Sequence, residues 1–167
     1  MAEKDTIFSS KVKYNGIVDF PAFYKFCYDW LDQEVNLELS EEKYSEKIEG
    51  DGKNIDVAWV GQRKLTDYFR FDVKVEFKVL GLTKLEIVQD GRKIKTNKGS
   101  VEIKIKGILI RDYQGKFEVN ASRKFMRSVY EKWVIPARTE EYENKIIGDC
   151  DEFLSQAKAF LDIEGKR

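Results

Sequence analysis

The chain has 167 residues, 42% of them apolar and 36% charged, and its 30 basic residues balance 30 acidic ones. A chain of this size buries roughly 70% of its unfolded surface, which is enough for one hydrophobic core. The apolar content excludes a disordered chain, and the longest apolar stretches fall far short of the ~20 residues that cross a bilayer. We expect one folded domain over residues 1–167 without transmembrane insertion. Residues 1–5 lack the pattern of a secretory signal, which predicts a cytoplasmic location.

The sequence contains no histidine, which removes the commonest general base, the commonest metal ligand and the main pH switch of proteins. The two cysteines, Cys27 and Cys150, stand 123 positions apart and outside any CxxC motif, so neither a zinc site nor a dithiol redox site is indicated. Both fall on the apolar side of a predicted helix, which predicts buried, reduced thiols. We predict a protein without enzymatic activity, bound metal or cofactor.

The first predicted elements in chain order are a half-buried strand and a helix. Alternate residues of the N-terminal stretch are mostly apolar, namely Phe8, Ser10, Val12 and Tyr14. Asp19 and Pro21 then supply a capping residue and a proline of the first helical turn, so a helix is predicted from about Phe20 to Gln33. Its apolar residues recur at spacings of three and four, and they form one stripe toward the core.

Alternating patterns predict several strands in the middle of the chain. Val35, Leu37 and Leu39 alternate with polar residues, and Tyr44 and Ile48 do so more weakly, before a turn at residues 50–52. A further strand is predicted from Ile55 to Trp59. The clearest pattern covers residues 69–79, where apolar and charged residues alternate without a break. This alternation is typical of an antiparallel strand with one face in water.

The dipeptide Asp90-Gly91 predicts a two-residue type I′ hairpin. Its register places three pairs opposite each other: Gln89 and Arg92, Ile87 and Ile94, and Glu86 and Lys95. Residues 97–99 are then predicted to reverse the chain into a strand from Val101 to Ile105. The alternation ends at Gly107, where the strand must be covered on both faces or must bulge.

After residue 115 the apolar period changes from two to about 3.6, which predicts helices. The first is marked by Phe125, Met126, Val129, Tyr130 and Trp133. Pro136 breaks or restarts it. A longer helix is marked by Tyr142, Ile146, Cys150, Phe153, Ala157 and Phe160 or Leu161. The predicted fold class is α+β, a curved antiparallel sheet of about six strands packed against an N-terminal helix and long C-terminal helices.

This element order resembles the helix-grip arrangement of START-like and Bet v 1-like proteins, whose members commonly hold apolar ligands between the sheet and the C-terminal helix. The resemblance covers most of the chain, at the level of element order. The sequence departs from that pattern because it offers one N-terminal helix instead of two, lacks the glycine-rich loop of plant members, and has Pro136 within its C-terminal helical region. What the resemblance implies is a sheet that grips the C-terminal helix.

Several short stretches are also similar to those of a group of small archaeal proteins without an assigned activity. They are residues 12–17, 28–31, 42–44 and 113–117. Because no activity is known for that group, this resemblance implies neither catalytic nor binding residues. Any function must therefore be argued from the side chains themselves.

Aromatic residues are numerous on the predicted inner face of the sheet and on the C-terminal helices. Those expected to line a space between the two are Trp59, Phe69, Phe71, Phe77, Trp133, Phe153 and Phe160. Apolar clefts of this kind are common ligand sites. Our first hypothesis is a noncatalytic binding protein that holds a small apolar ligand there or docks a protein partner. The alternative for the same rings is solid packing at ordinary interior density.

The balanced total charge hides two segments of opposite sign. Between Asp32 and Asp56 nine acids oppose three lysines, whereas between Arg92 and Lys106 six bases oppose one acid. The six bases are Arg92, Lys93, Lys95, Lys98, Lys104 and Lys106. Because a basic hairpin can follow a phosphate backbone, the second hypothesis is a nucleic-acid-binding or ribosome-associated accessory protein. Solvated charged faces and an electrostatic docking surface are the other two interpretations.

Carboxylates alone can carry acid–base chemistry if burial raises the pKa of one of them. The candidates are Asp56, Asp72 and Asp112, but the first two occupy outward positions of alternating strands and the third lies in a turn. Surface or turn roles are therefore predicted for all three. Residues 38–51 lack the spacing of an EF-hand, and residues 50–53 lack the frame of a phosphate-binding loop.

Overall fold

The described part of the chain forms a five-stranded antiparallel sheet with two long helices on one face. A computed structural model of the chain describes residues 3–114, 125–126, 128–129, 132 and 136–165. The elements are β1 (Glu3–Ile17), α1 (Phe20–Gln33), β2 (Glu38–Glu49), β3 (Gly52–Lys64), β4 (Phe69–Gln89), β5 (Arg92–Arg111) and α2 (Pro136–Gly165). The strand order across the sheet is β1-β5-β4-β3-β2, so the first strand lies beside the last. The α+β class is confirmed.

Helix α1 has the bounds that the sequence predicts. The amide of Ala22 donates a hydrogen bond of 3.3 Å to Oδ1 of Asp19, the N-cap, and Pro21 lies in the first turn. An acceptor at this position satisfies one of the backbone amides that the first turn leaves unpaired. The buried residues of the helix are Phe20, Phe23, Cys27 and Leu31. Their spacing of three and four gives the single stripe that packs on the sheet.

The hairpin between β4 and β5 is also as predicted. Asp90 and Gly91 have φ angles of 52° and 75°, the positive values that a type I′ turn requires at both central residues. The strand register pairs Gln89 with Arg92, Ile87 with Ile94, and Glu86 with Lys95. Local turn chemistry therefore determines the alignment of the two longest strands.

The sheet has five strands instead of about six, because β5 continues through residues 97–99, where the sequence predicts a reversal of the chain. Residues 97–99 do not reverse the chain, since Lys98 pairs with Thr83 and Ser100 pairs with Leu80. The register shifts between these two pairs, where Gly81 adopts a φ of 63°. A bulge with glycine at a positive φ absorbs the extra residue, and pairing resumes beyond it.

The C-terminal helical region also differs from the prediction. One helix begins at Pro136 and runs for 30 residues, so the second predicted helix starts before Tyr142. Of the first predicted helix, Phe125 and Met126 are helical but 70% and 57% exposed, so they do not belong to the core. Tyr130 and Trp133 lie outside the described residues. None of the described helices is both long enough and apolar enough to cross a membrane.

Helix α2 packs on β5 at Gly107. A Cβ atom built on this glycine would lie 2.6 Å from Cγ2 of Ile146 and 2.9 Å from Sγ of Cys150, both on α2. The missing side chain therefore lets helix and strand approach closely. The sequence predicts either cover on both faces or a bulge near Gly107, and the register shift at this level lies in the neighbouring strand β1, between Thr6 and Phe8. We call the face that α1 and α2 cover the inner face, and the opposite one the outer face.

Candidate functional site

The aromatic residues predicted to line a ligand space belong to the core on the inner face. Trp59, Phe69, Phe71, Phe77 and Phe153 are at most 1% exposed, and Phe160 is half-buried. Trp133 lies outside the described residues.

Their ring contacts belong to one core, in which Phe23 of α1 lies 6.0 Å from Phe77 and 5.6 Å from Phe160. The ring centroids of Trp59 and Phe77 are 4.8 Å apart, and Tyr24 of α1 lies 4.9 Å from Trp59. Phe69 instead contacts Tyr142 at the start of α2, at 5.1 Å. Phe153 and Phe160 reach from α2 to Trp30 and Phe26 of α1, at 5.7 and 5.0 Å. Contacts of this kind are those of a packed interior, and they give the apolar-ligand hypothesis no support.

Cys27 and Cys150 are both buried free thiols, as the sequence predicts. Burial raises the pKa of Cys27 well above its ordinary value. Burial and the charge of Asp149 raise the pKa of Cys150 to about 12. Because only the thiolate is nucleophilic, neither side chain is activated for chemistry in the folded protein.

We expect both thiols to resist an aromatic disulfide reagent at neutral pH while the protein is folded, and to react fully once it is unfolded in guanidinium chloride. The release of the coloured thiolate product measures both reactions. Rapid reaction of one thiol without unfolding would contradict this expectation, because it would show an accessible thiolate. Replacing each cysteine separately with alanine identifies which thiol reacts.

The three candidate acid–base carboxylates do not come together. Asp56 is exposed on the outer face, as predicted. Asp72 also points outward, but it is only 9% exposed because Arg70 covers it with two hydrogen bonds, of 2.7 and 2.9 Å, to its carboxylate oxygens. Asp112 is 2% exposed at a turn with a φ of 50°. The bidentate ion pair between Arg70 and Asp72 favours a structural role for Asp72.

The outer face carries three central rows of side chains that cross all five strands. From β1 to β2 they are Ser9, Lys106, Lys74, Val60 and Ser40; Lys11, Lys104, Glu76, Ala58 and Lys43; and Lys13, Glu102, Lys78, Asp56 and Ser45. These rows contain seven lysines and three carboxylates, a net charge of plus four. The charge balance of the whole chain is therefore not shared by this face.

Five of these lysines form a diagonal band on the three strands β4, β5 and β1. This lysine band consists of Lys74, Lys106, Lys104, Lys11 and Lys13. Lys74 lies directly opposite Lys106, and Lys104 lies directly opposite Lys11. Like charges at directly opposite positions of antiparallel strands destabilise a sheet. The band therefore keeps two repulsive pairs that an ordinary solvated face would avoid.

Carboxylates compensate only part of the lysine band. Glu102 lies 3.9 Å from Nζ of Lys11 and 3.8 Å from Nζ of Lys13. In the part of the chain that the structure describes, no carboxylate lies within ion-pair distance of Lys74, Lys104 or Lys106. The upper part of the band, these three lysines, therefore has no ion-paired carboxylate among the described residues, and its nearest opposite charge is Glu76, directly opposite Lys104 on β4. Lys104 and Lys106 belong to the basic surface predicted from the sequence, but Lys11, Lys13 and Lys74 were missed.

The basic surface predicted from residues 92–106 divides into two parts. Lys104 and Lys106 belong to the lysine band, whereas Arg92, Lys93 and Lys95 are exposed at the tip of the β4–β5 hairpin. Lys104 lies nine positions after Lys95 along the extended strand, which corresponds to about 30 Å. Lys98 lies between the two parts, opposite Thr83. A small ligand therefore cannot contact both the hairpin tip and the lysine band.

The acidic segment forms β2 and its turn, at the opposite edge of the sheet from β1. Strands β3 and β4 separate it from β5, so the two charged segments of the sequence do not face each other.

On the inner side of the β2 edge, the hydroxyl of Tyr24 donates a hydrogen bond to Glu41 and accepts one of 3.1 Å from Nε1 of Trp59. Burial and the hydrogen bond to Glu41 raise the pKa of Tyr24 to about 12.

A cleft of about 350 Å³ opens where the outer face meets the start of β2. We call it the arginine cleft. It is lined by Asn36, Glu38, Gln62, Arg63, Lys64, Arg70 and Tyr113. The guanidinium carbon of Arg70 lies 5.6 Å from the centroid of the Tyr113 ring, within range of a cation–π interaction. Three cations and one carboxylate therefore converge there.

Comparisons with known proteins give no assignment for these surfaces. No protein family model matches the chain, and no match is found among curated proteins or among solved structures.

Proposed function

We propose that the protein is a noncatalytic nucleic-acid-binding protein that holds the phosphate backbone on the lysine band of its outer face. The observation that carries the proposal is the pairing of Lys74 with Lys106 and of Lys104 with Lys11 at directly opposite positions. A bound polyanion would neutralise this repulsion, and binding would release the counterions of the phosphates.

The chemistry of the band favours phosphate contacts over the reading of bases. Lysine ammonium groups bind phosphate as point charges and carry no sequence information. The three central rows contain no aromatic side chain, so they offer no surface on which a base can stack. Binding through this face is therefore expected to depend strongly on salt and weakly on sequence.

The test compares two triple variants with the same loss of charge. One removes the upper band, K74Q, K104Q and K106Q, and its control removes the hairpin tip, R92Q, K93Q and K95Q. Fluorescence anisotropy with a labelled single strand, between about 50 and 200 mM salt, measures the affinity. For a single strand, the logarithm of the association constant falls linearly with the logarithm of the salt concentration. Losing three phosphate contacts should make this slope shallower by about 2. The control should keep the slope of the unmodified protein.

The band variant should fold normally, because it removes two like-charge pairs, Lys74 with Lys106 and Lys104 with Lys11, against one opposite-charge pair, Lys104 with Glu76. Thermal unfolding of both variants checks this, so weak binding cannot be assigned to unfolding. Two results would overturn the proposal. One is the absence of binding by the unmodified protein at low salt, and the other is a loss of affinity in the control that equals or exceeds that of the band variant.

A further inference from the structure

The arginine cleft differs from the lysine band because it contains planar groups. Its lining contains the cations Arg63, Lys64 and Arg70 and the carboxylate of Glu38, and Tyr113 supplies an aromatic ring. Asp72 forms an ion pair with Arg70, so Arg63 and Lys64 carry the charge that is not paired in this way. Its volume of about 350 Å³ lies in the range of small-molecule sites. The cleft thus combines groups that bind a phosphate with a flat surface that can accept a planar ring.

Both guanidinium groups of the cleft are held in place by neighbouring protein groups. Arg70 uses two of its five donors on the nearly buried Asp72, and the remaining three are left for a ligand. Nη1 of Arg63 donates a hydrogen bond of 3.1 Å to the carbonyl oxygen of Val35. Because these side chains are already ordered, binding an anion costs less conformational entropy than it would with mobile lysines.

The guanidinium of Arg70 lies over one face of the Tyr113 ring at the side of the cleft, so a base would stack on the opposite face of the ring. The ring of Tyr113 is half-exposed, and the guanidinium carbon of Arg70 lies 5.6 Å from its centroid. Unpaired bases stack on tyrosine rings and on arginine guanidinium planes, whatever their sequence. A base paired in a duplex has no free face for such a contact.

The cleft is continuous with the lysine band. Arg70 and Lys74 lie on the same side of β4, four residues apart, which corresponds to about 13 Å. Arg70 also lies opposite Lys64 of β3, and Asp72 lies opposite Gln62. A strand whose phosphates rest on the band can therefore reach the cleft within a few nucleotides.

We propose that the arginine cleft binds one unpaired nucleotide, with its base stacked on Tyr113 and its phosphate held by Arg63 and Lys64. The inference rests on the proposed function and adds to it a preference for single strands over duplexes. The chemistry recognised is a phosphate joined to a planar base. A free mononucleotide and an unpaired residue of a strand share this chemistry.

The experiment measures the affinity of the full chain for three probes: a labelled single-stranded oligonucleotide, its blunt duplex and adenosine monophosphate. Tyr113→Ala should weaken single-strand binding roughly 5-fold to 100-fold, the usual effect of losing one stacked base, and leave duplex binding unchanged. Lys64→Gln should weaken it less. Tyr113→Phe keeps the ring and should bind like the unmodified protein. Tyr44→Ala is the matched control, because it removes a tyrosine that is 47% exposed on the inner side of β2.

The outcomes separate the cleft from the band. If single strands bind through the band but Tyr113→Ala behaves like Tyr44→Ala, the cleft proposal is wrong and the proposed function stands. If adenosine monophosphate binds in a manner that depends on Tyr113 while no oligonucleotide binds, the cleft is supported for a free nucleotide and the proposed function is wrong. Should Tyr113→Ala fail to fold, single-strand binding by Lys64→Gln that equals binding by the unmodified chain overturns the cleft.

Discussion

Replacing Phe77 with alanine is expected to lower the free energy of unfolding by about 3–5 kcal/mol. The ring is 1% exposed, and its centroid lies 4.8 Å from that of Trp59 and 6.0 Å from that of Phe23. Its removal takes apolar surface out of the core and leaves a cavity between the sheet and α1. Chemical denaturation, with the midpoint and slope fitted together, measures the loss.

Val88→Ala is the matched control for this experiment. Val88 lies on β4 as Phe77 does, but it is 72% exposed near the hairpin tip. Its truncation should change stability by less than about 0.5 kcal/mol. A loss below about 1 kcal/mol for Phe77→Ala would instead indicate that the ring borders loosely packed space, because the cost of truncation depends on how closely the surroundings pack. That result would favour the apolar-ligand hypothesis over a solid core.

Replacing Gly107 of β5 and Gly148 of α2 separately with alanine should change the stability of the protein in opposite directions. Gly107→Ala should destabilise the protein by about 1–3 kcal/mol, because the new Cβ would overlap Ile146 and Cys150 and force α2 away from β5. Gly148→Ala should stabilise it by about 0.5–1 kcal/mol, because alanine is the better helix former. Gly148 lies within α2, and a Cβ added there would meet no atom within 4 Å.

Thermal or chemical unfolding of the two single variants and the double variant tests this pair of effects. Both substitutions add one methyl group. If one variant is less stable and the other more stable than the unmodified protein, the difference must come from the surroundings of each glycine. A stabilising Gly107→Ala would show that the close contact between helix and strand is not retained in solution. Additive effects in the double variant are expected, because the two methyl groups act through different contacts.

Local signals in the sequence determined helix α1 and the β4–β5 hairpin. A cap at Asp19 and a turn at Asp90-Gly91 act over a few residues, so a reader of the sequence can recognise them without knowing the fold. The continuous course of β4 was not predictable in this way. It depends on a bulge at Gly81 that takes shape only when β5 pairs with it.

The lysine band and the arginine cleft could be predicted only in part, because both depend on pairing between distant segments. Lys11 joins Lys104 only because β1 lies beside β5, across more than 90 residues of chain. The alternating pattern shows that each lysine faces water, but it does not show which strands are neighbours. The cleft likewise needs the end of β3, the start of β4 and the turn at Tyr113 to meet. No periodicity in the sequence carries that information.

The acidic strand β2 forms one edge of the sheet, and its charges disfavour pairing with a further strand. An exposed edge strand offers unpaired backbone groups to any other strand, including one from a second molecule. Five glutamates and two lysines line this edge, so two such edges repel each other when they approach. The hydrogen bond from Tyr44 holds the pKa of Glu46 below its ordinary value, which preserves part of this repulsion as the pH falls. The strand that contributes least to the core thus protects its own edge of the sheet, opposite β1, against edge-to-edge association.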